Sequence, residues 1–216
     1  MHTRKPPFAA HGKLTLVIRL LTWISRKHSI HGLPVWAPLV ANEEKPLIYR
    51  RLDDALSLLK ANAPGRYERV RQSLKGFLIF GIDSINASYD PTTAVCRLGE
   101  KFMLAPDTTA EAVACTVVHE ATHGLLFRLG IPYDEPLRYR VEMICIKAAL
   151  FTAQRLSGAE AQVERCRGQL TIDPNFFSTD SYAERAANNL RAAGLPEWLI
   201  RTLVWIRRKR AAKLAA

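Results

Sequence analysis

Six histidines are scattered through this 216-residue chain, and two of them stand four residues apart, the first followed directly by a glutamate: His119-Glu120-Ala121-Thr122-His123. On a helix, residues four apart share a face. Two imidazoles held in this way can bind one zinc ion. Glu120 points about 100° round the helix from His119, where a base acting on a metal-bound water would stand. The flanks support a helix. Val113, Val117, Ala121 and Leu125 recur at helical spacing. Pro106-Asp107-Thr108 reads as a turn, Thr108 with Glu111 fits a capping box, and Gly130 and Pro132 end the run. The competing reading is two structural histidines and a surface glutamate on an ordinary helix.

Catalytic zinc usually has three protein ligands. A further Gly at 126 and His at 129 would extend the motif, but these are Leu126 and Leu129. The next helix offers a carboxylate instead. Asp134 can cap it, Pro136 suits its first turn and Gly158 can end it. The short break from Gly130 to Tyr133 implies that this helix returns antiparallel to the first. Residues 123 and 119 then lie about 10 and 16 Å before the break, and residue 142 about 12 Å after it. Glu142 therefore comes level with the histidine pair. It shares its face with Cys145, Ile146, Ala149 and Ala153, all apolar. A carboxylate there needs a partner. Either a metal or a salt bridge to Arg140 or Arg128 would serve.

H-E-A-T-H with a glutamate 19 residues after the second histidine resembles the gluzincins, a branch of the zincin metallopeptidases. The resemblance covers roughly residues 76–157 and includes "VVHEATHGLLFRLGIPYDE" and "YRVEMICIKAA", which also look like small bacterial zincin-like proteins without an assigned substrate. It implies one zinc held by His119, His123 and Glu142, with Glu120 activating water to attack a peptide bond. Many gluzincins carry an Asn or Asp beside the third ligand. Val141 and Met143 stand there instead. Tyr133, Tyr139 and Arg138 are the candidate oxyanion helpers.

The elements that must position these groups read as an α+β, zincin-like fold: a small sheet, then the metal-binding helix pair, mostly helical elsewhere. Pro34 to Pro46 reads as a linker or ordered loop, Leu47 to Asn62 as an amphipathic helix with Leu52, Leu56 and Leu59 on one face, and Arg66 to Lys75 as a second. Gly76 to Ile82 suits a strand, Asn86 to Pro91 a turn, and Ala94 to Leu98 and Lys101 to Leu104 two more strands about a Gly99-Glu100 tip. By the resemblance, Lys101, Phe102, Met103 and Leu104 would form an edge for an extended peptide. A helix to about Gln169, a turn at Asp173-Pro174-Asn175 and a helix from Asp180 to Ala193 complete the domain. The divisions are residues 1–45 as a basic apolar segment and linker, 46–194 as the domain, and 195–216 as a basic amphipathic helix.

The net charge of +11 is not spread evenly. Residues 1–30 hold six Lys or Arg and no acid, and residues 195–216 hold six with one Glu, while the rest of the chain balances. The neutral middle shows no general basic patch, so specific nucleic-acid binding is not expected. Leu14 to Ile24 and Trp198 to Ile206 are apolar stretches with Trp, each followed by cations. Such segments suit an anionic membrane surface, or else pack on the core. Neither reaches the ~20 apolar residues of a span. Arg19 interrupts the first and no small-residue cleavage site follows, unlike a signal peptide. The expected place is the cytoplasm, or the cytoplasmic face of a membrane. Cys96, Cys115, Cys145 and Cys166 show no C-x-x-C pairing and read as buried free thiols.

The leading expectation is a zinc metallopeptidase acting on peptide or protein. The alternatives are a catalytically silent zinc-binding relative acting through a partner, and a membrane-peripheral helical protein whose motif is incidental. Zinc content separates the last from the others.

Overall fold

The computed structural model describes residues 28–80, 86–192 and 194–215, without the side chains of residues 189, 192 and 207–215. It is an α+β structure, mostly helical, with one five-stranded mixed sheet. The chain opens with a hairpin, β1 (His28–Ile30) and β2 (Leu33–Trp36). Its two-residue turn needs left-handed backbone at both positions, and His31 and Gly32 supply φ of 50° and 78°. His31 fastens the turn to the helices through Tyr67 Oη (2.9 Å) and Ser57 Oγ (3.2 Å).

Helices α1 (Lys45–Asn62) and α2 (Pro64–Ser73) follow, then β3 (Gly76–Phe80), β4 (Ala87–Asp90) and β5 (Val95–Gly99). The sheet order is β1-β2-β3-β5-β4, with β2, β3 and β5 parallel and the outer strands antiparallel. Side chains alternate across a strand. Val35, Phe77, Ile79, Cys96 and Leu98 thus face the main core, while Leu78 and Val95 lie on the other side with Trp36. Burying Leu52, Leu56 and Leu59 on α1 removes three leucines wholly from water, each stabilising by about 1.5–3 kcal/mol before entropy is counted.

The remaining elements are α3 (Glu100–Leu104), α4 (Ala110–Arg128), α5 (Glu135–Ala153), α6 (Glu160–Leu170), a 3₁₀ turn (Pro174–Phe177), α7 (Thr179–Ala192) and α8 (Glu197–Ala215). α4 is the central helix. It buries Val113, Ala114, Val117, Val118 and Ala121 and touches α1, α2, β4 and α5. Such all-round burial suits a sequence with apolar residues on every side.

Four expectations need correction. Lys101 to Leu104 is helical, because the chain turns from β5 straight into α3, leaving no hairpin tip at Gly99-Glu100. Arg51 holds this helix end through Met103 O (2.6 Å) and Ala105 O (2.9 Å). The stretch expected as a turn, Asn86 to Pro91, contains the outer strand β4. The stretch from Pro34 to Pro46 begins inside β2, so its first three residues are paired in the sheet. The cap of α4 is Thr109, whose Oγ1 accepts from Ala112 N (3.2 Å), while Thr108 donates to Phe102 O. The apolar stretch from Leu14 to Ile24 lies outside the described residues.

Candidate metal centre

Local sequence explains how two helices bring their side chains together. α4 ends in a left-handed glycine, Gly130 at φ 76°, with Ile131 N bonded to Leu126 O and Gly130 N to Phe127 O, both 3.0 Å. That pair of bonds is the Schellman closure, which satisfies the helix's last carbonyls and turns the chain. Asp134 then caps α5, accepting from Leu137 N (3.3 Å). α5 returns along α4 with Val141, Cys145, Ile146 and Ala149 buried and Glu142 among them, only 6 % exposed.

This return sets Glu142 against both histidines. Its Oε2 lies 3.3 Å from His119 Nε2 and its Oε1 3.7 Å from His123 Nε2. The two Nε2 atoms are 3.1 Å apart. Neither suggested arginine reaches the carboxylate: Arg128 bonds Ser73 Oγ (3.3 Å), and Arg140 is exposed. Tyr133 Oη donates to Glu142 Oε1 from the other side, and the Tyr133 ring stands edge-on to His123 at 5.3 Å. The histidine side chains keep 21 and 15 % exposure, so the cluster opens to solvent on their side.

Charges follow from this packing. Burial alone pushes Glu142 up, but the His119 hydrogen bond, both imidazoles and Tyr133 outweigh it and hold the carboxyl at about 2. Burial also works against a charge on His119, yet Glu142 and Glu120 raise it overall. His123 falls to about 4 through burial and the neighbouring His119. His119 is therefore the more basic of the two imidazoles and His123 the less basic.

Glu120 lies beside the pair, 6 % exposed. Burial first, then the charge of Glu142, lifts it to about 7, although His119, Arg97 and a hydrogen bond from the Tyr89 backbone N–H work the other way. That N–H belongs to β4, so the sheet's outer strand holds the motif glutamate. Gly124 permits the approach: a Cβ there would lie 3.0 Å from Ser73 O and 3.0 Å from the Tyr89 ring.

The other expected helpers fare differently. Arg138 stands one step back, its guanidinium 5.4 Å over the Tyr133 ring and 5.7 Å over that of Tyr182, with Nη1 bonded to Glu135, Phe177 O and Thr179. Tyr139 turns toward Phe177, at 6.1 Å between rings. Lys101, Phe102, Met103 and Leu104, being in α3, form no sheet edge.

Two residues at this site escape sequence reasoning. Tyr182, from α7, hydrogen-bonds Tyr133, and nothing in its local sequence ties it to a motif some sixty residues earlier. Cys145 is the second. Its thiol, His119 and His123 offer donor atoms all within 4.8 Å of one another, so these three could hold a metal ion. The signal was present, since residue 145 follows residue 142 at the i+3 spacing of one face. Burial and the charges of Glu142 and Glu120 push this thiol far above its usual value.

The third donor is thus contested between Glu142 and Cys145. A tetrahedral zinc with bonds of about 2.0–2.1 Å sets neighbouring N and O donors about 3.3 Å apart. The edges of 3.1, 3.3 and 3.7 Å among His119, His123 and Glu142 match that size. The Cys145 thiol also lies within 4.8 Å of both imidazoles, and a zinc–sulfur bond, at about 2.3 Å, is longer than one to nitrogen or oxygen.

All four cysteines are buried and unbridged. No protein-family model, no curated protein and no solved structure matches this chain.

Proposed function

We propose that the chain is a zinc-dependent hydrolase that cleaves a peptide bond in a peptide or protein. One observation carries the reading: a buried carboxylate sits between two Nε2 atoms at ion-sized separations, with a second carboxylate beside them lifted to about 7. His119, His123 and Glu142 would hold the ion. When bound, zinc would polarise the scissile carbonyl and make a water acidic. Glu120 would take that proton and pass it to the leaving amine. A base near neutrality suits both transfers. The Tyr89 N–H fixes its orientation. Tyr133 steadies Glu142 through its one O–H, and would have to give up that bond to serve as the oxyanion donor. The edge for an extended peptide, expected at Lys101 to Leu104, shifts in this reading to β4, the outer strand that touches Glu120.

The test is metal content and activity measured together. Purified chain should carry about one zinc, as expected of a single three-ligand set. His119→Ala or His123→Ala should remove it, and Glu120→Gln should retain it while abolishing hydrolysis of a peptide library. A chain that never takes up zinc retires the proposal.

A specific observation also favours the silent zinc-binding relative. If Cys145 joins the two histidines and Glu142, the ion is closed by four protein donors, the pattern of a structural site. Cobalt substitution separates the two. A sulfur-to-cobalt charge-transfer band that disappears in Cys145→Ser, with no hydrolysis in the parent, identifies the closed site.

A further inference from the structure

Helix α8 has a dry side and a wet side. Ile200, which is 1 % exposed, lies on the side that packs on α7. Trp198, Leu203 and Trp205 are 69, 41 and 56 % exposed. At about 100° per residue, positions 198, 201, 202 and 205 fall on the face opposite position 200. Arg201, between the two indoles, is 80 % exposed. Two exposed tryptophans on one helix face are unfavourable in water, and the indole prefers a boundary with apolar and wet sides.

The charge of the same stretch selects the partner. Residues 195–216 carry cations at 201, 207, 208, 209, 210 and 213 against the single acid Glu197. Glu197 is already engaged by Arg191 (3.0 Å) and Arg201 (3.5 Å). Trp flanked by a run of Lys and Arg, with almost no acid to balance it, is the composition of helices that lie in an anionic bilayer surface. No helix among the described residues is long and apolar enough to cross a membrane.

We propose that α8 is a docking helix for an anionic lipid bilayer. It lies in the headgroup plane, with Trp198 and Trp205 turned into the interface, while the net positive charge of the stretch draws it to lipid phosphates. α7 holds the opposite side, so the helix docks without unfolding the hairpin it forms with α7.

Co-sedimentation of the full chain with vesicles tests this, using phosphatidylcholine alone and phosphatidylcholine mixed with phosphatidylglycerol. Binding should be at least about tenfold tighter on the anionic vesicles and should weaken with salt. Trp198→Ala with Trp205→Ala should lower it by about tenfold or more, with helicity by circular dichroism retained. Arg207→Glu, Arg208→Glu, Lys209→Glu and Arg210→Glu together should do the same through charge, which keeps the test decisive if the double Trp variant misfolds. Stripping the metal should change nothing, so this result stands apart from that of the hydrolase test. Equal binding to both vesicles, or unchanged binding by both variants, overturns the proposal. A chain that ignores vesicles and is a dimer, made monomeric by the Trp variant, assigns the face to a second copy instead.

Discussion

Glu120 and Glu142 are both carboxylates, both buried, and shifted in opposite directions. Glu142 gains two imidazoles and a phenol, while Glu120 has burial and a like charge to contend with. This gives a pH prediction with a definite sign. The folded chain holds Glu120's proton more tightly than an unfolded chain, whose carboxyl sits near 4.5. The associated stability is complete below that value and is lost as pH rises through about 7. Glu120→Gln has no such loss. In metal-stripped protein, the variant should gain on the parent by about 1–3 kcal/mol between about pH 5 and 8. Urea midpoints at the two pH values measure this; a constant difference would show that the carboxylate is not desolvated. Much of the site was legible from residue types, because H-E-x-x-H encodes its geometry in one turn of helix and helical rise brought residue 142 level with it. Cys145 was missed because the sequence treats a cysteine on an apolar face as core. Only the distance to the two histidines raises a second possibility.

At the scale of elements, sequence reasoning succeeded where a residue pattern has a local cause. α1, α4, α5 and α6 follow from apolar spacing, Asp134 and the glycine stops. It failed at the sheet's margins. Ala87–Asp90 has no apolar run, and its strand character comes from pairing with β5. Lys101–Leu104 runs apolar after its lysine, as a buried strand can, but the sheet already has a neighbour for β5 on each side, β3 and β4, and the chain leaves as a helix. The contact between α4, α2 and β4 yields the second prediction. Gly124→Ala would gain about 1 kcal/mol of helix propensity. Its Cβ would meet the Ser73 carbonyl at 3.0 Å, the Tyr89 ring at 3.0 Å and Ser73 Cβ at 3.2 Å. Overpacking of this kind costs about 1–3 kcal/mol, and backbone is the part least able to yield. The variant should be net destabilised by up to about 2 kcal/mol in urea melts. A more stable variant would mean that α4 can shift away without cost.

Across the whole molecule, residues 174–192 supply none of the candidate metal donors, yet they reach the site. Glu135 at the start of α5 accepts from Thr179 N (2.9 Å), Arg138 bonds Phe177 O (3.2 Å), and Tyr182 bonds the Tyr133 that holds Glu142. Local sequence could not show this, because it joins residues some forty apart through polar groups with no periodic signature. The hydrogen-bonded line from α7 to Glu142 makes the two regions one cooperative opening unit, in which ordering one end protects the other. Amide hydrogen exchange should therefore slow in residues 179–188 when zinc is added, although no candidate donor lies there. Tyr133→Phe should uncouple them, leaving zinc to protect α4 and α5 alone. Exchange in α7 that ignores the metal in the parent chain would show that the C-terminal hairpin opens on its own.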